Sequence, residues 1–186
     1  GVANFQPVNT SDLTSDLNAG ISKMKKLVAE NAITVLSNNN KQFFPLTAEN
    51  KKIVFLGIGI DSANTFSERL SKDLNADAFY FNYKEDASRI LSTVQLIKDR
   101  YDAVVIGVHN YSRYPKDSFG ISDNALDLIR QIQQPAHPAH YKTILFGFGN
   151  PYAPKNFCDA KNLVACYEDD SVTQNVAADL LEGKIN

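Results

Sequence analysis

Four groups of residues in this sequence are of types that do chemistry. Glu168-Asp-Asp170 is the densest acidic cluster and offers neighbouring carboxylates, the groups that general acid and base work uses. His109 is followed by Asn110, Tyr111, Arg113 and Tyr114, a set of donors and aromatic faces suited to a polar ligand on a loop. Gly57-Ile-Gly59-Ile-Asp61-Ser62 begins like a dinucleotide-binding turn, and His137 with His140, then Cys158 with Cys166, are the remaining pairs of metal-ligand type.

Each group also has a structural reading. The acidic cluster directly precedes a helical pattern, where negative charge caps exposed N–H groups and suits the helix dipole, so capping is the expected role. In the glycine turn Ser62 stands where a third glycine is wanted. A tight strand-to-helix turn capped by Ser62 is therefore expected, with a free-standing module holding a nucleotide or small anion at 57–62 as the alternative. His137 and His140 share their stretch with Pro135 and Pro138 and have no carboxylate or cysteine nearby, so no metal site is expected. Two cysteines eight apart make no disulfide scaffold and no zinc spacing, and free, partly buried thiols are the first expectation. No Gly-x-Ser-x-Gly elbow occurs and neither cysteine has a neighbouring His, so nucleophilic hydrolysis lacks support; no catalytic residue is assigned, and no cofactor is expected.

The elements that position these groups alternate. Ile33–Leu36, Ile53–Leu56, Ala78–Phe81, Ala103–Ile106, Thr143–Phe146 and Leu163–Ala165 are short, nearly continuous apolar runs, as expected of strands covered on both faces. Helical spacing appears at Phe66, Leu70, Leu74, again from Ala87 to Ile97, from Leu126 to Ile132 and from Val172 to Leu180. Leu13, Leu17, Ile21, Met24, Leu27 and Val28 predict one opening helix over 11–31. Ser62, Asp86, Ser122 and Asp170 are the expected N-caps, and Gly183 ends the last helix.

This order predicts an α/β three-layer sandwich over 1–186, with a largely parallel sheet of five to six strands, flavodoxin-like in general form. In such a sheet ligands gather beyond the carboxyl ends of the strands, here at 57–61, 109–113 and 147–152. The long loops are 109–120 and 147–157, and the proline-punctuated stretch 134–140 reads as a surface connection.

The 186 residues are 44% hydrophobic and 22% charged with a formal net charge of −2, which suits one domain and offers no basic stripe for nucleic acid. No apolar run reaches the ~20 residues of a membrane span, and the first residues are unlike a signal peptide.

Two segments carry more than pattern. Ala29-Glu-Asn-Ala-Ile-Thr-Val-Leu-Ser-Asn38, then Phe44-Pro-Leu46 and Lys52-Ile-Val-Phe-Leu56, resemble the opening of the C-terminal domain of glycoside hydrolase family 3. Phe148-Gly-Asn-Pro-Tyr152, Val164-Ala-Cys-Tyr167, Thr173-Gln-Asn-Val-Ala-Ala178 and Leu181-Glu-Gly-Lys-Ile185 are similar to its closing half, nearest to bacterial β-N-acetylhexosaminidases. The resemblance implies an exported parent enzyme whose N-terminal β/α barrel carries the catalytic Asp and a His-containing loop. That barrel is the expected partner, and carbohydrate the expected substrate of the parent. The barrel's Lys-His-Phe-Pro-Gly-like segment and the Gly-Lys-Leu-Pro-Val-like strand after the last helix do not occur here, so a fragment inactive on its own is expected. Some branches of the family lend an acid/base carboxylate from this domain, but no residue here matches one. Asn110, Tyr111, Arg113, Asn150 and Tyr152 are the expected substrate-rim or domain-interface residues.

Overall fold

The computed structural model describes residues 10–39, 43–49, 51–134 and 141–185. Its strands are β1 (Thr34–Asn38), β2 (Ile53–Ile58), β3 (Asp77–Phe81), β4 (Ala103–Val108), β5 (Lys142–Gly147) and β6 (Asn162–Ala165). Its helices are α1 (Leu13–Asn18), α2 (Ile21–Ala32), α3 (Thr65–Leu74), α4 (Ser88–Lys98), α5 (Asp123–Gln133) and α6 (Ser171–Leu181).

The strands form one sheet in the order β1-β6-β5-β4-β2-β3, parallel except for β1, which runs antiparallel to β6 along one edge. The five parallel strands follow the flavodoxin-like order, with β1 added beyond the last of them. Successive side chains of a strand face opposite ways, so each apolar run feeds two cores. Ile53, Phe55, Val105, Ile144 and Phe146 meet Phe66, Leu70 and Leu74 of α3 and Ala177, Ala178 and Leu181 of α6. Val54, Leu56, Ile58, Val104, Ile106 and Leu145 meet Ile90 and Ile97 of α4 and Leu128, Ile129 and Ile132 of α5. The three layers expected of continuous apolar strands are thus present. Between β5 and β6 a 3-10 turn at Ala153–Phe157 stands in for a crossover helix.

Local signals place most boundaries. The Ser122 hydroxyl accepts from the Ala125 amide at 3.3 Å, and an Asp170 carboxylate oxygen from the Thr173 amide at 2.8 Å. Asp86 accepts from the Ser88 amide at 2.9 Å, one residue before the boundary residue Ala87. After α6, Gly183 takes φ +73°, the Gly183 amide donates to Leu180 and the Lys184 amide to Asp179, a Schellman closure that only a left-handed residue permits cheaply.

Two expectations are corrected. The cap of α3 is Asn64, not Ser62: the Asn64 side chain accepts from the Ser67 amide and the Ser67 hydroxyl accepts from the Asn64 amide, each at 2.9 Å. This reciprocal box satisfies two amides, and Ser62 instead donates to Asp61 at 3.3 Å. The opening helix is two helices, α1 and α2, parted at Ala19-Gly20, where glycine's low helix propensity weakens continuation. Their apolar residues also point outward: Leu17 is 71% exposed, Met24 66% and Val28 60%. The histidine pair His137 and His140, with the connection 135–140, lies outside the described residues.

Candidate functional site

The flavodoxin-like order puts the topological switch point between β2 and β4, at the Gly57–Ser62 turn and the start of the 109–120 loop. In this chain that crevice is closed by its own side chains. The Tyr83 hydroxyl donates to the His109 carbonyl at 2.5 Å and Asn110 Nδ2 donates to the Gly59 carbonyl at 3.1 Å. Gly59 has φ +82°, and a Cβ there would lie 2.6 Å from the Tyr83 ring. Its glycine serves close packing rather than a ligand's approach. Of the α3 amides, Phe66 donates to Gln174 at 3.2 Å and Ser67 to Asn64, so the first turn is occupied from within the protein.

The open space lies one strand further on. A cavity of about 500 Å³ sits beyond the carboxyl ends of β4, β5 and β6, lined by Asn110, Tyr111, Arg113, Phe148, Gly149 and Asn150 from two loops and by Tyr167–Asp170 from the third. Four of the five residues expected at a rim or interface converge here. The Asn150 side chain ties the loops together, donating to the Arg113 carbonyl at 2.6 Å and accepting from the Tyr152 amide at 2.8 Å. The Tyr152 side chain itself turns away. It is 74% exposed and lines a separate apolar groove of about 710 Å³ with Leu36, Pro115, Phe119 and Pro154.

Asp169 anchors the cavity floor. Oδ1 accepts from His109 Nδ1 at 2.9 Å and from Gln174 Nε2 at 2.8 Å, and Oδ2 accepts from the Asn110 amide at 3.1 Å. His109 is fully buried, stacks on Phe148 with centroids 4.5 Å apart, and approaches Asn64 Nδ2 with Nε2 at 3.3 Å. Burial opposes the charge on Asp169, but the His109, Asn110 and Gln174 hydrogen bonds outweigh it and hold the carboxyl below its ordinary value. Burial pushes the Tyr83 and Tyr111 phenols well up, so both remain neutral donors.

The expected capping role of the acidic cluster is therefore true of Asp170 alone. Sequence reasoning gave Asp169 a capping role and did not bring it together with Phe148, Tyr83 or Gln174, which lie far apart in the chain and carry no spacing signal. Tyr167 entered only within the stretch Val164–Tyr167, and the structure shows it at φ +65°, a backbone held against its preference. Cys166 is buried and Cys158 exposed, both as free thiols. Among the described residues no three of His, Cys, Asp and Glu converge as a metal site requires.

The cavity offers aromatic faces, one guanidinium, amide donors and the exposed Glu168, a set matched to a polar, hydroxyl-bearing ligand or a polar protein rim. Asp169 is committed to three hydrogen bonds and acts as a brace. The chemistry of glycoside cleavage uses two free carboxyl groups facing one bond, and this floor does not present such a pair.

By architecture the protein is a three-layer, flavodoxin-like α/β sandwich. No protein-family model matches the chain and no curated protein does. Solved structures share its fold, among them glycoside hydrolase family 3 chains. A fungal multi-domain β-N-acetylglucosaminidase of that family, which has a GCN5-related glucosamine N-acetyltransferase region, is 21% identical with a TM-score of 0.65, over 97% of this chain and 19% of its own. The family 3 β-N-acetylglucosaminidase of a Paenibacillus species is 18% identical with a TM-score of 0.61, over 100% and 34%. A β-glucosidase from Listeria innocua is 17% identical with a TM-score of 0.70, over 96% and 27%. At these identities the likeness is one of fold, and the chain spans about a fifth to a third of the length of those chains.

Proposed function

We propose that this chain is the C-terminal accessory domain of a glycoside hydrolase of family 3, of β-N-acetylhexosaminidase type, and that it packs on the parent's catalytic barrel with the β4–β6 cavity at the rim of the substrate pocket. The observation that carries the reading is the cavity itself, where Asn110, Tyr111, Arg113 and Asn150 meet at one end of the sheet over a braced floor. Pockets favour domain interfaces, and closing such a rim excludes water and strengthens the charges inside. The solved chains of like fold support the reading, since each is several times longer than this domain. The parent is proposed to be exported.

Hydrolysis of a chromogenic β-N-acetylglucosaminide by this chain and by the longer parent tests it. Activity in the parent alone is expected, with Arg113→Ala in the parent changing kcat or KM while the fold is retained. Turnover by the 186 residues, or a parent indifferent to Arg113→Ala and Asn110→Ala together, would overturn the assignment.

A further inference from the structure

α2 is built the wrong way round for a helix that only covers its own sheet. Of its twelve residues Ala29 alone is buried, whereas Ile21, Met24, Leu27 and Val28 are between 41% and 66% exposed. At 3.6 residues per turn these four form a stripe whose centre lies about 130° round the helix from Ala29. The helix thus touches α6 with one face and turns its apolar face to solvent, and Leu17 of α1 extends the exposure at 71%. An apolar stripe of this size on a surface marks an interaction face.

Charge and position narrow the occupant. On the same helical wheel Lys23 flanks Leu27 and Lys25 flanks Ile21, both exposed, while Glu30 beside Lys23 is paired with Lys26 at 3.6 Å, so an unpaired lysine borders the apolar stripe on each side. A second copy meeting it about a twofold axis would bring lysines towards lysines. The carboxyl end of α2 leads through Ile33 to Thr34, which pairs with Ala165 and whose hydroxyl lies 3.2 Å from the Tyr167 hydroxyl at the cavity wall. The carboxyl end of the helix that bears the stripe therefore lies at the end of the sheet that carries the cavity.

We propose that the stripe Ile21, Met24, Leu27, Val28 is a docking face for a folded body elsewhere on the same longer chain, one with an apolar centre and carboxylates at its margin. This rests on the accessory-domain reading and names a surface through which the packing occurs.

Met24 is the one methionine of the 186 residues and reports on the stripe directly. Peroxide oxidation of Met24, followed by peptide mass spectrometry, is compared between this chain and the longer parent. The expected result is at least about tenfold slower sulfoxide formation in the parent, restored towards the free rate by Leu27→Glu. Equal rates overturn the proposal. If the Tyr167–Asp170 amides are still protected from exchange in the parent, the accessory reading survives and only the stripe's role fails; if they are not, both fail. Protection in the short chain alone that grows with its concentration or with anionic vesicles assigns the stripe to a second copy or a membrane, and also overturns the proposal.

Discussion

His109 Nδ1 lies 2.9 Å from Asp169 Oδ1, sixty positions further along the chain, and the imidazole is clamped against Phe148 at a ring tilt of 9°. This contact joins the end of β4 to the turn after β6 across β5, so the three loops lining the cavity share one brace. A fully buried ring with no such partner would leave a polar nitrogen unsatisfied at considerable cost.

Removing the brace is expected to destabilise the fold. Asp169→Ala leaves the His109 ring, the Asn110 amide and the Gln174 amide without their acceptor, at about 2–4 kcal/mol. Urea denaturation followed by circular dichroism measures the loss, and a shift below about 0.5 kcal/mol would show that water replaces the carboxylate freely.

The same carboxylate gives a pH dependence. Its folded pKa lies below the ordinary 3.8, so its stabilisation is fully present above the unfolded value and is lost as pH falls through the folded one. The urea midpoint is expected to decline as pH drops below about 4, with a shallower decline in Asp169→Asn. Parallel pH profiles for the two proteins would count against it.

Arg69 is expected to govern the α3–α6 seam. Its guanidinium donates to Asp73 at 2.7 Å, Asp179 at 2.9 Å, Asn175 at 3.0 Å and Glu182 at 3.2 Å, and is 22% exposed. Because the cluster is partly solvated, Arg69→Met is expected to cost about 1–2 kcal/mol rather than the larger loss of a fully buried pair. Lysine keeps the charge but loses the planar fork, so Arg69→Lys is expected to recover only part of it, read by the thermal midpoint.

Gly59→Ala is expected to be among the most damaging single changes, at about 2–4 kcal/mol, because φ +82° and the Tyr83 ring both refuse a Cβ. Adding Tyr83→Ala to relieve the crowding should not restore stability, since the backbone strain and the nearby His109 carbonyl stay and a partly buried ring is lost. Denaturant midpoints of the two variants decide this.

The thiols should differ. Burial, with Asp169 adding to it, raises Cys166 far above an ordinary thiol, whereas Cys158 is exposed. One fast-reacting thiol per chain is expected with an aromatic disulfide reagent under native conditions and two in denaturant. Two fast thiols in the native protein would mean that the cavity floor opens readily.

The order of layers was legible in the sequence because strands buried on both faces need unbroken apolar runs, as at Ile53–Leu56 and Ala103–Ile106, and because caps such as Ser122 and Asp170 act within three residues of themselves. Clustering of Asn110, Arg113 and Asn150 near one end of the sheet followed from the rule that parallel strands deliver their loops to a common edge. Long-range choices were not legible. Asp169 and Asp170 are adjacent and chemically identical, yet one caps α6 and the other crosses to His109, because only packing of β4, β5 and β6 sets which carboxylate faces the buried ring. The outward turn of the α2 stripe was hidden for the same reason. Periodicity shows that a helix has an apolar face, but which face is covered is settled by the packing of α2 against α6, which leaves Ala29 its one buried residue, and that packing exists only once the chain has folded.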